Sequence, residues 1–415
     1  MKKTLTHRST YYKAVHTVAI LFVLSLIFAV SANGQVWTRV APMNVPRMGH
    51  SAAVADGRIY VFGGAAQRER RFLNSVEIYD PETDEWTMGG DLPVPIYLAA
   101  AVTADTLIYL FGGHSGDNLL NNRILAYDFQ RDTCYTVGRL PRPPLMGSSA
   151  VNVNGRVLLL GGMDLMDEYS RSSYWYDNEN NEWSQAPDMV TPGAKFGAGL
   201  VGNTVWIAGG MYHGPLRRLE MLRGDEWVER AEMGLPRGGF GAAFLGDTLV
   251  VAGGRTLRAS FTPTVEGYFP QRDRWFRLPD MNVPRGDFQM VSLNRKLYAI
   301  GGTTDTGRME VLDLVEVFIE DTTGIFDEFD PPNDPVVTLL WPNPVNGTVN
   351  LQLDRFASRV EILDIEGHVL YESILPQGRT TWHWSTTDYP AGSYLYRLYR
   401  SHDKPMTTGR FVVVK

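Results

Sequence analysis

Three arginines hold the same place in a repeated pattern of this 415-residue chain. Arg47, Arg237 and Arg285 each follow a proline and lie sixteen residues before a Gly-Gly pair. Segments after the Gly-Gly pairs add Arg68, Arg70, Arg71, Arg255, Arg258 and Arg308. Guanidinium groups bind carboxylates and sulfates through paired hydrogen bonds, so we hypothesise a cationic binding face for an anionic glycan or an acidic protein segment. The alternative is that each Pro-Arg only holds its own loop by donating to carbonyl oxygens.

Other residues after the Gly-Gly pairs could do acid–base or metal chemistry. They are His114, Asp117, Asp164, Asp167 and His213. A sugar epimerase or mutarotase would need an acid and a base from this set at one site. A copper oxidase would need a tyrosine cross-linked to a cysteine and two histidine ligands. Cys134 is the sole cysteine, and we expect it to be a buried small apolar residue. We predict no catalytic residue, no metal and no cofactor.

The Gly-Gly pairs themselves recur at spacings of 44 to 49 residues. The six pairs are Gly63-Gly64, Gly112-Gly113, Gly161-Gly162, Gly209-Gly210, Gly253-Gly254 and Gly301-Gly302. An apolar run ends at each pair, and a turn separates it from an earlier apolar run, as in a β-hairpin. A Tyr often follows, with a Trp seven residues later, as at Tyr79 and Trp86. The repeat therefore predicts an all-β fold of six radially packed four-stranded sheets.

This combination of period, diglycine and Tyr/Trp pair resembles the Kelch repeat. The resemblance covers about residues 36–319 and implies a six-bladed β-propeller of the galactose oxidase-like superfamily. The string Met-Asn-Val-Pro-Arg occurs at 43–47 after Trp37 and again at 281–285 after Trp275. We therefore expect the N-terminal strand at Trp37 to complete the sixth blade and close the ring. The cationic face would then cover blades 5, 6 and 1.

The first 34 residues have the pattern of a secretory signal peptide. Four basic residues and no acidic residue precede an apolar stretch at 18–30, and the small residues Ala32 and Gly34 precede a cut before Gln35. The apolar stretch is shorter than the roughly 20 residues that span a bilayer. We expect no integral membrane segment after cleavage.

The net charge and the cysteine content argue against a nucleic-acid-binding protein and against a disulfide-stabilised one. The formal net charge of −7 becomes −11 once the four cations of residues 1–34 are removed, which is unsuited to nucleic-acid binding. One cysteine allows no intrachain disulfide, so an exported chain would be stabilised by its apolar core, and 44% of its residues are hydrophobic.

The last part of the chain departs from the repeat. Residues 320–335 are acidic, contain three prolines and lack basic residues, which predicts a solvated linker. Residues 336–415 contain about seven short strands separated by turn residues, a pattern typical of a small immunoglobulin-like β-sandwich.

This tail resembles the type A C-terminal sorting domain of type IX (Por) secretion substrates. The matching residues are Trp341, Pro342, Asn343, Pro344, Asp364, Gly367, Gly392, Tyr394 and Lys415. In that family the first motif usually begins with Tyr, so Trp341 is a departure. The resemblance implies recognition by outer-membrane secretion machinery and delivery to the cell surface or the medium.

The predicted organisation is therefore a signal peptide at 1–34, a six-bladed propeller at 35–319, a linker at 320–335 and a sorting β-sandwich at 336–415. We predict an exported module that binds a protein or an anionic glycan. An exported sugar epimerase or mutarotase is the alternative.

Overall fold

The computed structural model describes residues 37–66, 71–116, 119–141, 143–257, 260–305, 309–319, 340–341, 343–352, 358–375, 381–399 and 405–415. Two compact units are present, one over Trp37–Glu320 and one that contains Asp321–Lys415. The expected signal peptide and acidic linker lie outside the described residues.

Six four-stranded antiparallel sheets make up the first unit and are numbered here as blades 1 to 6. Their strands, from innermost to outermost, are as follows. Blade 1 has Ser51–Ala55, Arg58–Phe62, Val76–Asp80 and Glu85–Gly89, and blade 2 has Ala100–Ala104, Leu107–Phe111, Arg123–Asp128 and Thr133–Arg139. Blade 3 has Ser149–Val153, Arg156–Leu160, Ser173–Asp177 and Glu182–Ala186, and blade 4 has Gly197–Val201, Thr204–Ala208, Leu219–Arg223 and Glu226–Glu229. Blade 5 has Gly241–Leu245, Thr248–Ala252, Val265–Phe269 and Arg274–Leu278, and blade 6 has Gln289–Leu293, Lys296–Ile300, Val315–Ile319 and Trp37–Val40.

Short elements complete this unit. Two hairpins follow diglycines, Ala65–Ala66 with Arg71–Phe72 and Thr303–Asp305 with Met309–Val311. A 3-10 turn spans Pro270–Arg272.

The six blades form a closed ring. Each innermost strand lies against the innermost strands of both neighbouring blades, and that of blade 6 lies against that of blade 1. The hydrophobic core lies between adjacent blades; between blades 1 and 2 it includes Tyr60, Phe62, Leu110 and Tyr127. This arrangement buries both faces of each sheet, which a single four-stranded sheet cannot do alone.

Blade 6 takes its outermost strand from the start of the propeller sequence. Trp37 pairs with Phe318, and Val40 with Val315, in antiparallel register. The Trp37 indole donates to the Pro279 carbonyl at 3.0 Å, much as the outer-strand Trp86 donates to Ala41 at 2.9 Å. The pairing agrees with the ring closure expected from the repeated Met-Asn-Val-Pro-Arg string.

The diglycines connect neighbouring blades. Both glycines of every pair have φ between 53° and 109°, a region that disfavours residues with a Cβ. A Cβ on Gly63 would lie 2.4 Å from the carbonyl oxygen of Ile96 in the next blade. The N–H of Gly64 donates to that same carbonyl at 2.8 Å, and the equivalent bond recurs around the ring to Gly302 and Arg47.

The second unit is a β-sandwich. One sheet has the strands Leu340–Trp341, Thr348–Gln352 and Thr381–Ser385. The other has, in spatial order, Val369–Ile374, Arg359–Leu363, Gly392–Tyr399 and Pro405–Val413. Buried side chains of both sheets, such as Val349, Trp382, Ile362 and Phe411, form one core. Among the described residues, no helix is long and apolar enough to cross a membrane.

Candidate functional site: the diglycine face of the propeller

Two loops lie side by side at one end of every blade. The inbound loop leads into the innermost strand, and the post-diglycine loop follows the second strand. A backbone bridge joins them in each blade, from Met48–Ala65 in blade 1 to Gly286–Thr303 in blade 6. The surface made by these loops is termed the diglycine face. It contains most of the residues that the sequence singled out.

Arg47 begins in an inbound loop but its side chain lies inside blade 1, with 0% of the residue exposed. Its Nη1 donates to the carbonyl of Gly63 at 2.8 Å, and its Nη2 lies 2.5 Å from Oε1 of Glu77. Glu77 in turn accepts the backbone N–H of Asn44 at 2.7 Å. Burial lowers the pKa of Arg47, and the charge of Glu77 opposes that shift. The arginine therefore ties its loop to the second and third strands of its blade.

Arg237 and Arg285 repeat these contacts in blades 5 and 6. Both are 0% exposed, and they pair with Glu266 and Glu316. Each donates from Nη1 to the first glycine carbonyl of its own blade, at 2.8 Å and 3.3 Å. The hypothesis that these two residues and Arg47 present guanidinium groups to a ligand is wrong, because all three side chains are buried and their Nη groups donate to partners inside the blades. Their contacts match the loop-holding alternative.

The other three blades satisfy the same glycine carbonyl with different donors, which the sequence pattern did not reveal. In blade 2, Asn121 donates to Gly112 at 3.1 Å. In blade 3, Ser148 donates to Gly161 at 2.9 Å. In blade 4, Nε of Arg218 donates to Gly209 at 3.0 Å, and Arg218 pairs with the buried Glu220. A buried carbonyl needs a donor in every blade, and different side chains meet that need.

A ring of backbone hydrogen bonds surrounds the mouth of the central channel. Its six residues, each fourteen positions before a diglycine, are Gly49, Leu98, Gly147, Lys195, Gly239 and Asp287. The N–H of each donates to the carbonyl of its counterpart in the preceding blade, at 2.7 to 3.0 Å. Glycine alternates with a larger side chain, so the three larger side chains have room to cover the mouth.

Lys195 and Asp287 form an ion pair at this mouth, with Nζ 3.0 Å from Oδ1. Their side chains are 19% and 21% exposed. Burial alone would lower the pKa of Lys195, but Asp287, together with Tyr97 and Tyr169, has the larger combined effect and raises it. Sequence reasoning missed this pair, although its repeat position could have been tabulated as the arginines were.

Below the mouth, the channel holds a cavity of about 190 Å³ lined mainly by small side chains such as Ala100, Ser149 and Ala198. Sites that enclose small molecules usually measure roughly 300 to 1,000 Å³. This cavity is therefore smaller than the usual site that encloses a small molecule.

Two aromatic clusters flank the mouth on the diglycine face. Phe72 stacks on Tyr97 at 5.2 Å between ring centroids and meets His114 edge-on at 4.9 Å. Across blades 3 and 4, Tyr169 contacts both Tyr212 and His213, at 5.8 Å and 5.4 Å. The two predicted site histidines thus belong to aromatic clusters.

The remaining predicted site residues are placed as follows. Asp164 caps its own loop, since its Oδ1 accepts the N–H of Met166 at 2.8 Å and of Glu168 at 3.0 Å. Arg255 and Asp167 are exposed on the diglycine face. The side chain of Arg71 and the residues Arg68, Arg70, Arg258, Arg308 and Asp117 lie outside what the structure describes.

Large apolar side chains are exposed on the post-diglycine loops, which sequence reasoning also missed. They are Leu119 at 62%, Leu165 at 43%, Met166 at 86%, Tyr212 at 40%, Leu257 at 71% and Met309 at 39%. They belong to blades 2 to 6. The available signal was the occurrence of large apolar residues in loops that are otherwise polar.

Cys134 lies away from the diglycine face, in the outermost strand of blade 2. It pairs across the sheet with Tyr127, in the position that Trp86 takes opposite Tyr79 in blade 1. Burial raises the pKa of the Cys134 thiol to about 12. The thiol therefore behaves as a small apolar group.

Residues of the tail motifs make hydrogen bonds within the sandwich. The Asn343 side chain accepts the N–H of Val412 at 2.9 Å. Tyr394 is buried and donates to the carbonyl of Pro390 at 2.7 Å. Lys415 donates to the Thr387 carbonyl at 2.7 Å.

The other motif residues shape turns. Asp364 accepts the N–H groups of Glu366 and His368, each at 2.9 Å. Gly367 adopts φ 91° in that turn, and Gly392 begins the strand Gly392–Tyr399. Pro344 is exposed; Pro342 and the side chain of Trp341 lie outside the described residues.

Each of the two units resembles a known protein family. Residues 22–210 match the KLHDC2/KLHL20/DRC7 Kelch-repeats domain, and residues 339–414 match the secretion system C-terminal sorting domain. The chain therefore contains a Kelch-repeat domain and a secretion system C-terminal sorting domain. The sorting tail indicates export, to the cell surface or the medium.

Individual relatives of the Kelch propeller are distant. Kelch-like protein 25 of Xenopus tropicalis is 30% identical over 42% of this chain and 31% of that protein. Beta-scruin of Limulus polyphemus is 28% identical over 45% of this chain and 16% of that protein. The chain thus spans about a third or less of the length of these curated relatives. The solved structure of YjhT is similar with a TM-score of 0.60 and 17% identity, over 68% of this chain and 98% of YjhT, which supports the fold alone.

Proposed function

We propose that the exported Kelch propeller binds a protein partner on its diglycine face, around the mouth of the central channel. The observation that carries this proposal is the set of exposed apolar side chains on the post-diglycine loops. Met166 and Leu257 are 86% and 71% exposed. Large apolar groups gathered on one face are typical of protein interaction surfaces, and aromatic groups such as those of Tyr212 commonly anchor partners.

A small-molecule enzyme receives less support from the same face. The sugar epimerase or mutarotase alternative needs an acid and a base that face an enclosed sugar. At the mouth, Lys195 and Asp287 bind each other, and the cavity below measures about 190 Å³. The hypothesis of an anionic-glycan ligand was based on Arg47, Arg237 and Arg285, whose side chains are buried. A surface that binds another protein needs neither an enclosed pocket nor unpaired charged groups.

Site-specific photo-crosslinking in the native producing cells tests the proposal. The crosslinking amino acid benzoylphenylalanine is placed at Met166 or Leu257, and in matched controls at the exposed turn residues Asn203 or Asp247 at the opposite end of the blades. We expect one and the same protein to be captured from both diglycine-face positions and from neither control. Capture that is equal at both ends, or absent, contradicts the proposal. Covalently captured carbohydrate would indicate a glycan ligand instead.

A further inference from the structure

The four-stranded sheet of the tail has one edge that other described residues cover and one edge, here termed open, that no described strand covers. At the covered edge, the N–H of Val345 donates to the Val412 carbonyl at 2.7 Å, and Val412 donates to the Asn343 side chain. The opposite edge is the strand Val369–Ile374. It pairs on one side with Arg359–Leu363, and no described strand pairs with its other side.

This open strand is unusually apolar at its surface. Val369, Leu370, Tyr371 and Ile374 are 50%, 39%, 38% and 82% exposed, and Ile365 in the preceding turn is 65% exposed. Edge strands of monomeric proteins are generally protected by charges, prolines or bulges. The strand itself contains one charged residue, Glu372, and that carboxylate is bound by Arg359 at 3.2 Å. A β-bulge at Leu370 interrupts the pairing at the start of the strand, and residues 371–374 pair regularly with residues 359–362.

We propose that the strand Val369–Ile374 is the surface by which the secretion machinery holds the tail, through an extended segment of the machinery that adds to this sheet edge. Such an edge offers a row of N–H and C=O groups that an extended chain can satisfy along its length, while exposed side chains add contact area. The occupant is the machinery because this unit matches a sorting domain, which must present a surface to it. The proposal is independent of what the propeller binds.

Export of the full chain from its native producing cells tests this surface. The double variant Val369→Lys with Ile374→Lys puts two charges on the most exposed apolar positions of the strand. The matched control, Thr381→Lys with His383→Lys, puts the same charges on exposed positions of the edge strand Thr381–Ser385 in the other sheet. We expect the first variant to fall at least about tenfold in the exported fraction and to accumulate in the periplasm with its tail intact, while the control is exported normally.

Three outcomes would overturn the proposal. The first is normal export of the Val369→Lys, Ile374→Lys variant. The second is an equal loss of export in the control, since any added edge charge would then suffice. The third is a wild-type dimer, seen by sedimentation, that the variant converts to a monomer without loss of export, because the edge would then bind a second copy. Purified variants are first compared with the wild type by circular dichroism, and Ile374→Thr replaces the double variant if that fails to fold.

Discussion

Nζ of Lys195 lies 3.0 Å from Oδ1 of Asp287, although 92 residues separate them. The two residues belong to blades 4 and 6, which are not neighbours in the ring. Their side chains meet beside Gly239 of blade 5, where an added Cβ would lie 2.6 Å from that same Asp287 oxygen. The ion pair therefore joins non-adjacent blades at the channel mouth, in addition to the strand pairing that closes blade 6.

Removing one partner of this pair should destabilise the propeller. Asp287→Ala leaves the ammonium group of Lys195 partly buried without its counter-ion, and we expect a loss of about 1 to 2 kcal/mol in the free energy of unfolding. The double variant Lys195→Met with Asp287→Leu should recover most of that loss. Denaturant unfolding followed by tryptophan fluorescence measures both. A single variant as stable as the wild type would show that the pair contributes nothing to ring stability.

The buried Arg47 should matter far more for stability than an exposed arginine of the same face. Arg47→Ala leaves Glu77 charged and buried and removes the donor to Gly63, so we expect a loss of about 3 to 5 kcal/mol. The control Arg255→Ala should change stability by less than about 0.5 kcal/mol. Thermal unfolding of the two variants provides the comparison. An Arg47→Ala protein of unchanged stability would contradict the loop-holding role.

Gly57 and Gly63 have similar backbone conformations but different surroundings. Substituting each by alanine therefore measures the cost of backbone strain with and without an added steric conflict. Gly57 and Gly63 have φ of 70° and 59°. A Cβ on Gly57 meets nothing within 4 Å, whereas on Gly63 it would lie 2.4 Å from the Ile96 carbonyl. Gly57→Ala should cost about 1 to 2 kcal/mol from the left-handed conformation alone, and Gly63→Ala should cost clearly more. Equal melting temperatures for the two variants would show that the blade contact tolerates a methyl group.

His50 should make the propeller sensitive to acid. It is 1% exposed, and burial together with the charge of Arg47 lowers its pKa to about 3. An unfolded chain binds a proton at His50 near pH 6.5, so stability is lost as pH falls below that value, by about 2 kcal/mol at pH 5. His50→Gln should lose less stability than the wild type between pH 7 and pH 5. The control His213→Gln, which changes an exposed histidine, should follow the wild type; a parallel decline of all three would contradict the assignment.

Most of the fold could be predicted from local sequence patterns. The diglycines and the Tyr/Trp pairs predict hairpins and outer strands because they act within a single repeat of about 50 residues. The repeated Met-Asn-Val-Pro-Arg string also placed Trp37 in the last blade, and Trp37 pairs with Phe318 in the structure. These features depend on neighbours along the chain or on direct comparison between repeats.

By itself, then, the sequence determined an all-β Kelch propeller, its sorting tail and the face on which the repeat loops gather. Only the tertiary structure decided the direction of individual side chains. A Pro-Arg is compatible with a guanidinium group in solvent or inside the blade, and the buried Glu77 and the carbonyl of Gly63 hold Arg47 inside. Lys195 and Asp287 meet only because ring closure brings the mouth residues of all blades together. The repeated string predicts that the ring closes, but which side chains meet across the mouth depends on their directions within the closed ring, which no local pattern encodes.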